Sequence, residues 1–405
     1  MIKTIAVVGA GTMGTGIAQL AARHGCTVRL IEVNGDVLQR SLEEVRKRLD
    51  RSVEKGKIEA AQRDAILERI QPGQRIEGLE AVELAIEAVV EDLAVKQRVF
   101  AALEEAAPPT AVLATNTSSL SITKIAQSVK DPSRVVGMHF FNPAPVMPLV
   151  EIIAGKASSE ASLDLACKTA QAWGKTPVRA KDTPGFIVNR VARGYYLEAL
   201  RLLGEGVAGV DEIDGVMKRH GGFRMGPFEL MDLVGLDVNL AVSTSVWEQM
   251  GKHARFTPHE IQRELVQQGA LGRKSGRGFY VYEGEHPLPA HAVHRRSYEL
   301  TPLLSDAMLA FATRAGAGEA NSTEQYVFAR ILGAILNEAG HAYSDGVAGS
   351  DDIDIAMLKG TNYPKGPLAW ADTIGHRTVR GLLKRLNEKI GDGRYEPASL
   401  FAKAF

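Results

Sequence analysis

The sequence has 405 residues, of which 45% are hydrophobic and 24% are charged. Its 48 basic residues balance 48 acidic ones, so no net charge attracts nucleic acid or an anionic membrane. The two cysteines, Cys26 and Cys167, form neither a disulfide framework nor a metal-ligand spacing, and they suit a reducing compartment. We therefore expect a cytoplasmic protein of two or three domains, without a metal site or a membrane span.

The N-terminus has the order of a dinucleotide-binding unit. A buried strand, Ile2–Val8, is followed by Gly9-Ala-Gly-Thr-Met-Gly14, by a helix reaching His24, and by a second strand, Thr27–Ile31. A signal peptide would also be apolar here, but the spacing of the glycines favours a tight turn leading into an amphipathic helix. The pattern predicts the first half of a Rossmann-type parallel sheet.

Each part of this unit has a physical role in binding a dinucleotide. The first glycine allows the tight turn, the second lets a pyrophosphate approach the backbone, and the third lets the helix pack on the sheet. The helix N-terminus supplies free N–H groups and partial positive charge. Glu32, at the end of the second strand, would accept hydrogen bonds from the adenosine ribose and repel a 2′-phosphate. NAD is therefore the expected cofactor, in preference to NADP.

Residues 36–70 interrupt the alternation of strands and helices and predict a helical hairpin. One apolar face repeats at helical spacing, comprising Leu38, Leu42, Val45, Leu49 and Val53. The other face and the tip are basic, with Arg46, Lys47, Arg48, Arg51, Lys55 and Lys57. A solvated face is one interpretation, since Glu43, Glu44 and Asp50 are interleaved. The alternative is a hairpin whose tip contacts a phosphorylated ligand.

Regular α/β alternation then resumes. The pattern predicts strands at 82–90, 111–115 and 134–138 and helices at 92–106 and 121–129. Polar residues follow the predicted strands, namely Glu32, Glu91, Asn116, Ser118 and His139. Ligands of open α/β sheets bind beyond the carboxyl ends of the strands, so these side chains are expected to line a ligand site.

His139 and Glu151 are predicted to form a pair. The strand before His139 and the strand Leu149–Ile153 are separated by a segment containing Pro143, Pro145 and Pro148, which neither a helix nor a central strand accepts. If the two strands are neighbours, this loop returns the carboxylate to the imidazole. A carboxylate-oriented histidine is suited to acid–base catalysis. A purely structural pair is the alternative.

A domain boundary is expected near residue 183. A helix at 163–173 and a strand at 176–179 precede it, and only helical patterns follow. Asp182 or Thr183 is expected to cap a helix with Pro184 in its first turn. Asn189, early in that helix, is expected to direct its amide towards the cleft between domains.

The helical region contains an internal repeat. A shift of 140 residues without gaps gives 15 identities over the 46 positions 190–235. The second copy has Ala329 in place of Asn189, so we expect it to be structural. The predicted organisation is therefore a Rossmann domain at 1–183, a helical domain at 184–283, a linker at 284–321 and a second helical repeat at 322–405.

These motifs resemble those of the L-3-hydroxyacyl-CoA dehydrogenases. The matching segments run in family order and are Gly9–Gly14, Asn116–Ser119, His139–Pro143, Asp182–Arg190, Met225–Phe228 and Lys274–Phe279. The duplicated C-terminal region is similar to longer bacterial members, among which enzymes of phenylacetate degradation acting on 3-hydroxyadipyl-CoA are the most alike. The resemblance implies an NAD-dependent oxidation of a 3-hydroxyacyl-CoA thioester.

The resemblance also implies roles for residues. His139 would be the general base, Glu151 would orient it, Ser118 and Asn189 would bind the substrate oxygens, and Asn142 would hold the geometry on the cofactor side. Lys55 matches a coenzyme A contact. The implied cofactor contacts are Gly9, Gly11, Thr12, Met13, Gly14, Glu32, Glu91, Lys96, Asn116, Ser118, Asn142 and Lys274.

The resemblance further implies an assembly. The two helical copies are expected to pack as an internal pseudo-dimer, and a homodimer of the whole chain is possible. Two other functions stay open from the residues alone. They are a non-catalytic NAD-binding protein, and a Rossmann dehydrogenase acting on a small hydroxy acid.

Overall fold

The computed structural model describes residues 2–284, 287–291 and 294–402. The chain divides into two compact units, Met1–Phe186 and Ile187–Phe405. The first unit contains an eight-stranded sheet made of β1 (Thr4–Val8), β2 (Thr27–Ile31), β3 (Ile70–Gly73), β4 (Leu84–Glu87), β5 (Val112–Thr115), β6 (Val135–Phe140), β7 (Leu149–Ala154) and β8 (Thr176–Lys181).

The sheet has the strand order β3-β2-β1-β4-β5-β6-β7-β8. Strands β1 to β6 are parallel, β7 runs antiparallel to β6, and β8 is parallel to β7. The central strands β4 and β5 are buried along their whole length, which explains their continuous apolar sequences. The Rossmann-type sheet predicted from the sequence is therefore confirmed.

The described residues of the first unit form six helices and two short 3-10 turns, at Ala126–Ser128 and Pro132–Arg134. The helices are α1 (Thr12–Arg23), α2 (Gly35–Glu54), α3 (Ala60–Glu68), α4 (Leu93–Ala106), α5 (Ile122–Ile125) and α6 (Glu160–Ala172). Polar caps fix several of their starts, as in α2, where the Asn34 side chain accepts hydrogen bonds from the backbone of Asp36 and Val37.

Helices α2 and α3 form the predicted hairpin, and the apolar residues Leu38, Val45 and Leu49 are its buried face. The sequence did not reveal β3, which lies at the edge of the sheet and pairs only with β2. Its Pro72 lacks a backbone N–H, and an edge position tolerates that loss.

The second unit is largely helical. Its helices are α7 (Val188–Val191), α8 (Arg193–Gly204), α9 (Val210–Arg219), α10 (Pro227–Val234), α11 (Leu236–Gln249), α12 (Glu260–Gln267), α13 (Pro302–Ala315), α14 (Ser322–Ser344), α15 (Ser350–Gly360), α16 (Pro367–Ile374), α17 (His376–Ile390) and α18 (Ser399–Ala402). Two 3-10 turns, Ala254–Phe256 and Arg273–Ser275, and a small sheet of β9 (Tyr280–Val281) and β10 (Leu288–Pro289) complete it.

The repeat in the sequence is also a repeat in structure. Helices α9, α10 and α11 begin 140 residues before α15, α16 and α17. Asp214 accepts hydrogen bonds from the first turn of α10, and Asp354, its counterpart, does the same for α16. The duplicated aspartate therefore has one structural role in both copies, namely capping the following helix.

Two local predictions were wrong. Asp182 and Pro184 do not start a helix, since α7 begins at Val188. The Asp182 carboxylate instead accepts hydrogen bonds at the start of α5, from Ser121 Oγ and from the backbone N–H groups of Ile122 and Thr123. An aspartate can cap a helix distant in sequence, which spacing alone does not reveal.

The second error concerns the segment 284–321. Part of it forms α13, which buries Leu304, Met308 and Phe311, so the linker interpretation is wrong there. Residues 285–286 and 292–293 of that segment lie outside the described residues.

Within the described ranges, no single helix is both long and apolar enough to cross a membrane. One bent pair, α10 with α11, would pass by length and composition only. The same ranges contain no group of three or more His, Cys, Asp or Glu residues that could hold a metal ion.

Candidate active site

The loop after β1 is shaped for close approach of a ligand. Gly9 has a φ of +101°, and a Cβ atom there would lie 2.5 Å from the Ala88 carbonyl oxygen. A Cβ atom on Gly14 would lie 1.8 Å from the Gly9 carbonyl oxygen. A Cβ atom on Gly11 would meet nothing within 4 Å. The first and third glycines are therefore required by packing, whereas Gly11 leaves open space at the backbone.

The N-terminus of α1 adds backbone N–H groups to this loop. Thr15 N donates to Gly11 O at 2.9 Å, so the N–H groups of Thr12, Met13 and Gly14 precede the first helical hydrogen bond. Gly11 offers no capping side chain, and the first turn has no acidic residue. These N–H groups and the helix dipole suit a pyrophosphate.

Glu32 lies directly after β2, beside the same loop. Its Oε2 atom accepts a hydrogen bond from Ala10 N at 3.1 Å, and Oε1 accepts from Asn34 N at 3.1 Å. The backbone thus holds a half-buried carboxylate next to the glycine-rich turn. The arrangement fits the adenosine half of NAD, whose ribose hydroxyls need such an acceptor.

His139 and Glu151 are brought together as expected. They are register partners of the antiparallel strands β6 and β7, and His139 Nδ1 lies 2.7 Å from Glu151 Oε2. Glu151 has no exposed surface and His139 is 6% exposed. The Phe141 ring lies 4.5 Å from the imidazole, and the Phe186 ring 5.9 Å, between centroids. The imidazole is therefore held in one orientation by a buried carboxylate and two aromatic rings.

This pairing sets the histidine tautomer. Since Glu151 accepts, Nδ1 carries the hydrogen and Nε2 is the nitrogen able to take a further proton. The carboxylate is also placed to stabilise the charged imidazolium.

Glu91 organises the loop after β5, which carries Ser118. Its Oε1 atom accepts hydrogen bonds from Thr117 Oγ1 at 2.6 Å and from the backbone N–H groups of Ser118 and Ser119 at 3.0 and 3.1 Å. Burial acts to raise the pKa of Glu91, but the Lys96 ammonium and the hydrogen bonds from Thr117 and Ser119 outweigh it and lower the pKa overall. Glu91 is therefore ionised, and its hydrogen bonds hold the loop that carries Ser118 in place.

Lys96 is buried next to Glu91. Its Nζ atom lies 2.7 Å from Glu87 Oε1 and 3.2 Å from Glu91 Oε2, and only 1% of its side chain is exposed. Glu87, with no exposed surface, also accepts from Thr115 Oγ1 at 2.7 Å. Glu87 was not predicted as a site residue, because it lies inside a strand that was predicted to run to residue 90. Because Lys96 is buried, its ammonium group is not placed to make the direct contact with the cofactor that was predicted. Lys96 instead affects the site through its ion pair with Glu91.

Asn116 joins the ends of two strands. Its Oδ1 atom accepts a hydrogen bond from Phe140 N at 2.9 Å, next to His139. Asn142 follows in the Pro-rich loop, where it is exposed and precedes a cis peptide bond to Pro143. Asn116, which directly follows β5, therefore holds the end of the His139 strand, and Asn142 lies in the loop that leaves that strand end.

Lys55 is exposed in the turn that ends α2, at the tip of the hairpin. Two further predicted residues belong to the second unit. Asn189 is the second residue of α7, and its carbonyl oxygen accepts from Arg193 Nε at 2.9 Å. Lys274 Nζ lies 2.6 and 2.7 Å from the two carboxylate oxygens of Asp237. That ion pair was not predicted from the sequence.

The fold and the first unit together define an NAD-binding dehydrogenase of Rossmann type. One sheet carries a glycine-rich loop, the adjacent Glu32 carboxylate and a histidine oriented by a carboxylate. Comparison with known proteins gives the family. The 3-hydroxyacyl-CoA dehydrogenase NAD binding domain matches residues 4–183, and the C-terminal domain of the same family matches twice, at residues 185–282 and 326–405.

Individual relatives agree with this match. A 3-hydroxyadipyl-CoA dehydrogenase of Escherichia coli is 39% identical over 98% of this chain and 96% of its own length. A probable 3-hydroxybutyryl-CoA dehydrogenase of Bacillus subtilis is 43% identical, over 70% of this chain and 98% of its own. The crystal structure of an Escherichia coli 3-hydroxybutyryl-CoA dehydrogenase is similar with a TM-score of 0.88 and 38% identity, over 100% of this chain and 98% of that one.

The chain belongs to the 3-hydroxyacyl-CoA dehydrogenase family. It is an oxidoreductase with NAD as its cofactor, and the double match shows that its repeat is a duplication of the family's C-terminal domain.

Proposed function

We propose that this chain oxidises the hydroxyl group of an L-3-hydroxyacyl-CoA to a ketone, and catalyses the reverse reaction, with His139 as the general base. The 2.7 Å contact between His139 Nδ1 and Glu151 Oε2 carries this proposal, because it fixes the tautomer that leaves Nε2 able to accept the hydroxyl proton. NAD, when bound, supplies the hydride acceptor. Glu151 stabilises the imidazolium that exists once the proton has moved.

The remaining polar residues have positioning and binding roles in this proposal. Ser118, whose loop is held by hydrogen bonds to Glu91, donates a hydrogen bond to a substrate oxygen, and Asn189 also binds a substrate oxygen. Asn142 holds the geometry on the cofactor side, and Asn116 fixes the start of its loop through Phe140 N. Lys55, exposed on the hairpin tip, binds a phosphate of coenzyme A.

Removing the base tests the mechanism. His139→Ala should lower kcat by about 10²–10⁴-fold, the usual contribution of one acid–base group. Turnover is followed as NADH formation from a 3-hydroxyacyl-CoA, with His294→Ala, an exposed histidine, as the control. Turnover of His139→Ala close to that of the wild type would remove His139 from the mechanism, and absence of NADH formation by the wild type would remove the function.

The acyl group we propose first is the six-carbon dicarboxylic chain, since a relative that matches nearly the full length of this chain is named for 3-hydroxyadipyl-CoA. The structure that matches the full chain is named for 3-hydroxybutyryl-CoA, which makes the four-carbon chain the competing choice. A panel of kcat/KM values for acetoacetyl-, 3-ketohexanoyl- and 3-ketoadipyl-CoA tests this choice. The proposal requires the highest value for 3-ketoadipyl-CoA, and a higher value for acetoacetyl-CoA would assign the enzyme to short chains.

We also infer that the second helical copy is structural and forms an internal pseudo-dimer with the first. Arg190 Nε lies 2.6 Å from Glu338 Oε1, and Arg330 Nε lies 2.7 Å from Glu198 Oε1. Arg190 and Arg330 occupy equivalent positions in the two copies, as do Glu198 and Glu338. The arginine of each copy therefore pairs with the glutamate of the other. Reciprocal contacts of this kind are typical of a two-fold interface.

Deleting residues 322–405 tests the pseudo-dimer. The largely buried face of α8, which packs on α14, would lose its cover, so the shortened chain should aggregate or form new dimers. Light scattering on the purified protein measures this outcome. A stable, active and monomeric truncated chain would contradict the inference.

A further inference from the structure

A cavity of about 280 Å³ lies in the first unit, apart from the proposed catalytic and cofactor residues. Its walls come from the C-terminal half of α1, the Pro-rich loop between β6 and β7, and the turn between α6 and β8. None of the residues assigned above to the cofactor or the substrate lines it. The cavity therefore needs a separate explanation.

Positive charge collects at this cavity. Lys175 lines it with 8% of its surface exposed, and Nζ donates to Met147 O at 2.8 Å. Arg23 and His24 lie on the same wall, at the end of α1. Within the described part of the chain, no carboxylate lies within 4.0 Å of the Lys175 ammonium. A buried ammonium group with a second cation nearby lacks a counter-charge.

The electrostatic state of Lys175 agrees with this geometry. Burial, and then the positive charge of Arg23, lowers the pKa of Lys175 to about 8. A negative charge bound in the cavity would offset both effects on the pKa of Lys175.

The remaining walls are mainly apolar. Trp173, Pro145 and Pro148 supply flat apolar surfaces, and Trp173 stacks on Phe140 with ring centroids 6.3 Å apart. Gln19 lines the cavity too, and its buried Oε1 atom has no hydrogen-bond partner among the described residues.

We propose that this cavity binds a small organic carboxylate, with its negative charge at Lys175 and Arg23 and its apolar body against Trp173 and the prolines. A carboxylate gives Lys175 the charge-assisted hydrogen bond that the protein does not provide. The flat apolar walls favour an organic anion over an inorganic one, since they gain nothing from a fully hydrated ion.

Calorimetric titration of the full-length protein with benzoate tests the site. Benzoate should bind saturably, while benzamide, its neutral analogue, and inorganic phosphate should bind at least about tenfold more weakly. Lys175→Met should weaken benzoate binding by about tenfold or more, because it removes a buried charged donor. Lys168→Met, an exposed lysine of α6, should bind benzoate as the wild type does.

Arg23→Met provides a second test if Lys175→Met does not fold, because Arg23 is exposed. It should weaken benzoate binding by about two- to fivefold. Absence of saturable binding by the wild type, equal binding of benzamide, stronger binding of phosphate, or an unchanged affinity in Arg23→Met would each overturn the proposal. Displacement of benzoate by NAD would also overturn it, by placing benzoate in the cofactor site.

Discussion

Replacing Glu151 by glutamine isolates the charge of the His–Glu pair from its shape. The amide oxygen can still accept from His139 Nδ1, so the ring keeps its tautomer and position, while the full negative charge disappears. Opposite unit charges about 4 Å apart attract by about 4 kcal/mol at an effective dielectric constant of about 20. The retained hydrogen bond contributes about 1 kcal/mol, which leaves about 3 kcal/mol. We therefore expect kcat for hydroxyacyl oxidation to fall by about 10²-fold.

The assay separates chemistry from binding and folding. NADH formation gives kcat and KM, fluorescence titration gives the affinity for NADH, and thermal melting confirms the folded state. The loss should appear in kcat, with NADH affinity unchanged, because Glu151 is buried beneath the histidine and has no exposed surface. Glu105→Gln, which removes an exposed acid of α4, is the matched control. A kcat of Glu151→Gln within threefold of the wild type would refute charge stabilisation by Glu151.

Two further predictions concern the hairpin tip and the repeat interface. Lys55→Ala should raise KM for the acyl-CoA by up to about fivefold at low salt, and less at high salt, since an exposed ion pair contributes about 0.2–1 kcal/mol. Lys130→Ala is the control. A change in kcat without a change in KM would contradict binding of coenzyme A by Lys55. Burial acts to raise the pKa of Glu198, but the Arg330 and Arg394 guanidinium groups hold it well below its usual range. Its stabilising effect is therefore present above the unfolded pKa of about 4.3 and is lost as the pH falls below it. The urea midpoint of the wild type should decline more steeply in acid than that of Glu198→Gln, and parallel curves would refute this linkage.

Local sequence signals were sufficient for most of the Rossmann unit. The strand at Thr27–Ile31 was predicted with its observed bounds, because buried parallel strands are short continuous apolar runs. The glycine-rich turn, the hairpin and the pairing of His139 with Glu151 were likewise predictable, since each depends on residue spacing or on neighbours along the chain.

Predictions failed where the deciding partner is distant in sequence. Asp182 looked like a cap for the residues after it, yet it caps α5, about 60 residues earlier. Helix α13 was hidden in a Pro- and Gly-containing segment, and it is stabilised by packing on α14, α16 and α17. Edge strand β3 was missed because Pro72 argues against a strand unless its unpaired side is known.

The sequence by itself determined the cofactor, the family and the pairing of His139 with Glu151. Those properties depend on which residues occur and in what order, and the glycine-rich turn, Glu32, His139 and Glu151 are readable in that way. Only the tertiary structure decided how Ser118 is held. The buried Glu87–Lys96–Glu91 arrangement joins residues of a strand, a helix and a loop, and it depends on each charge losing contact with water. Burial results from the packing of the whole unit, so no local pattern reports it.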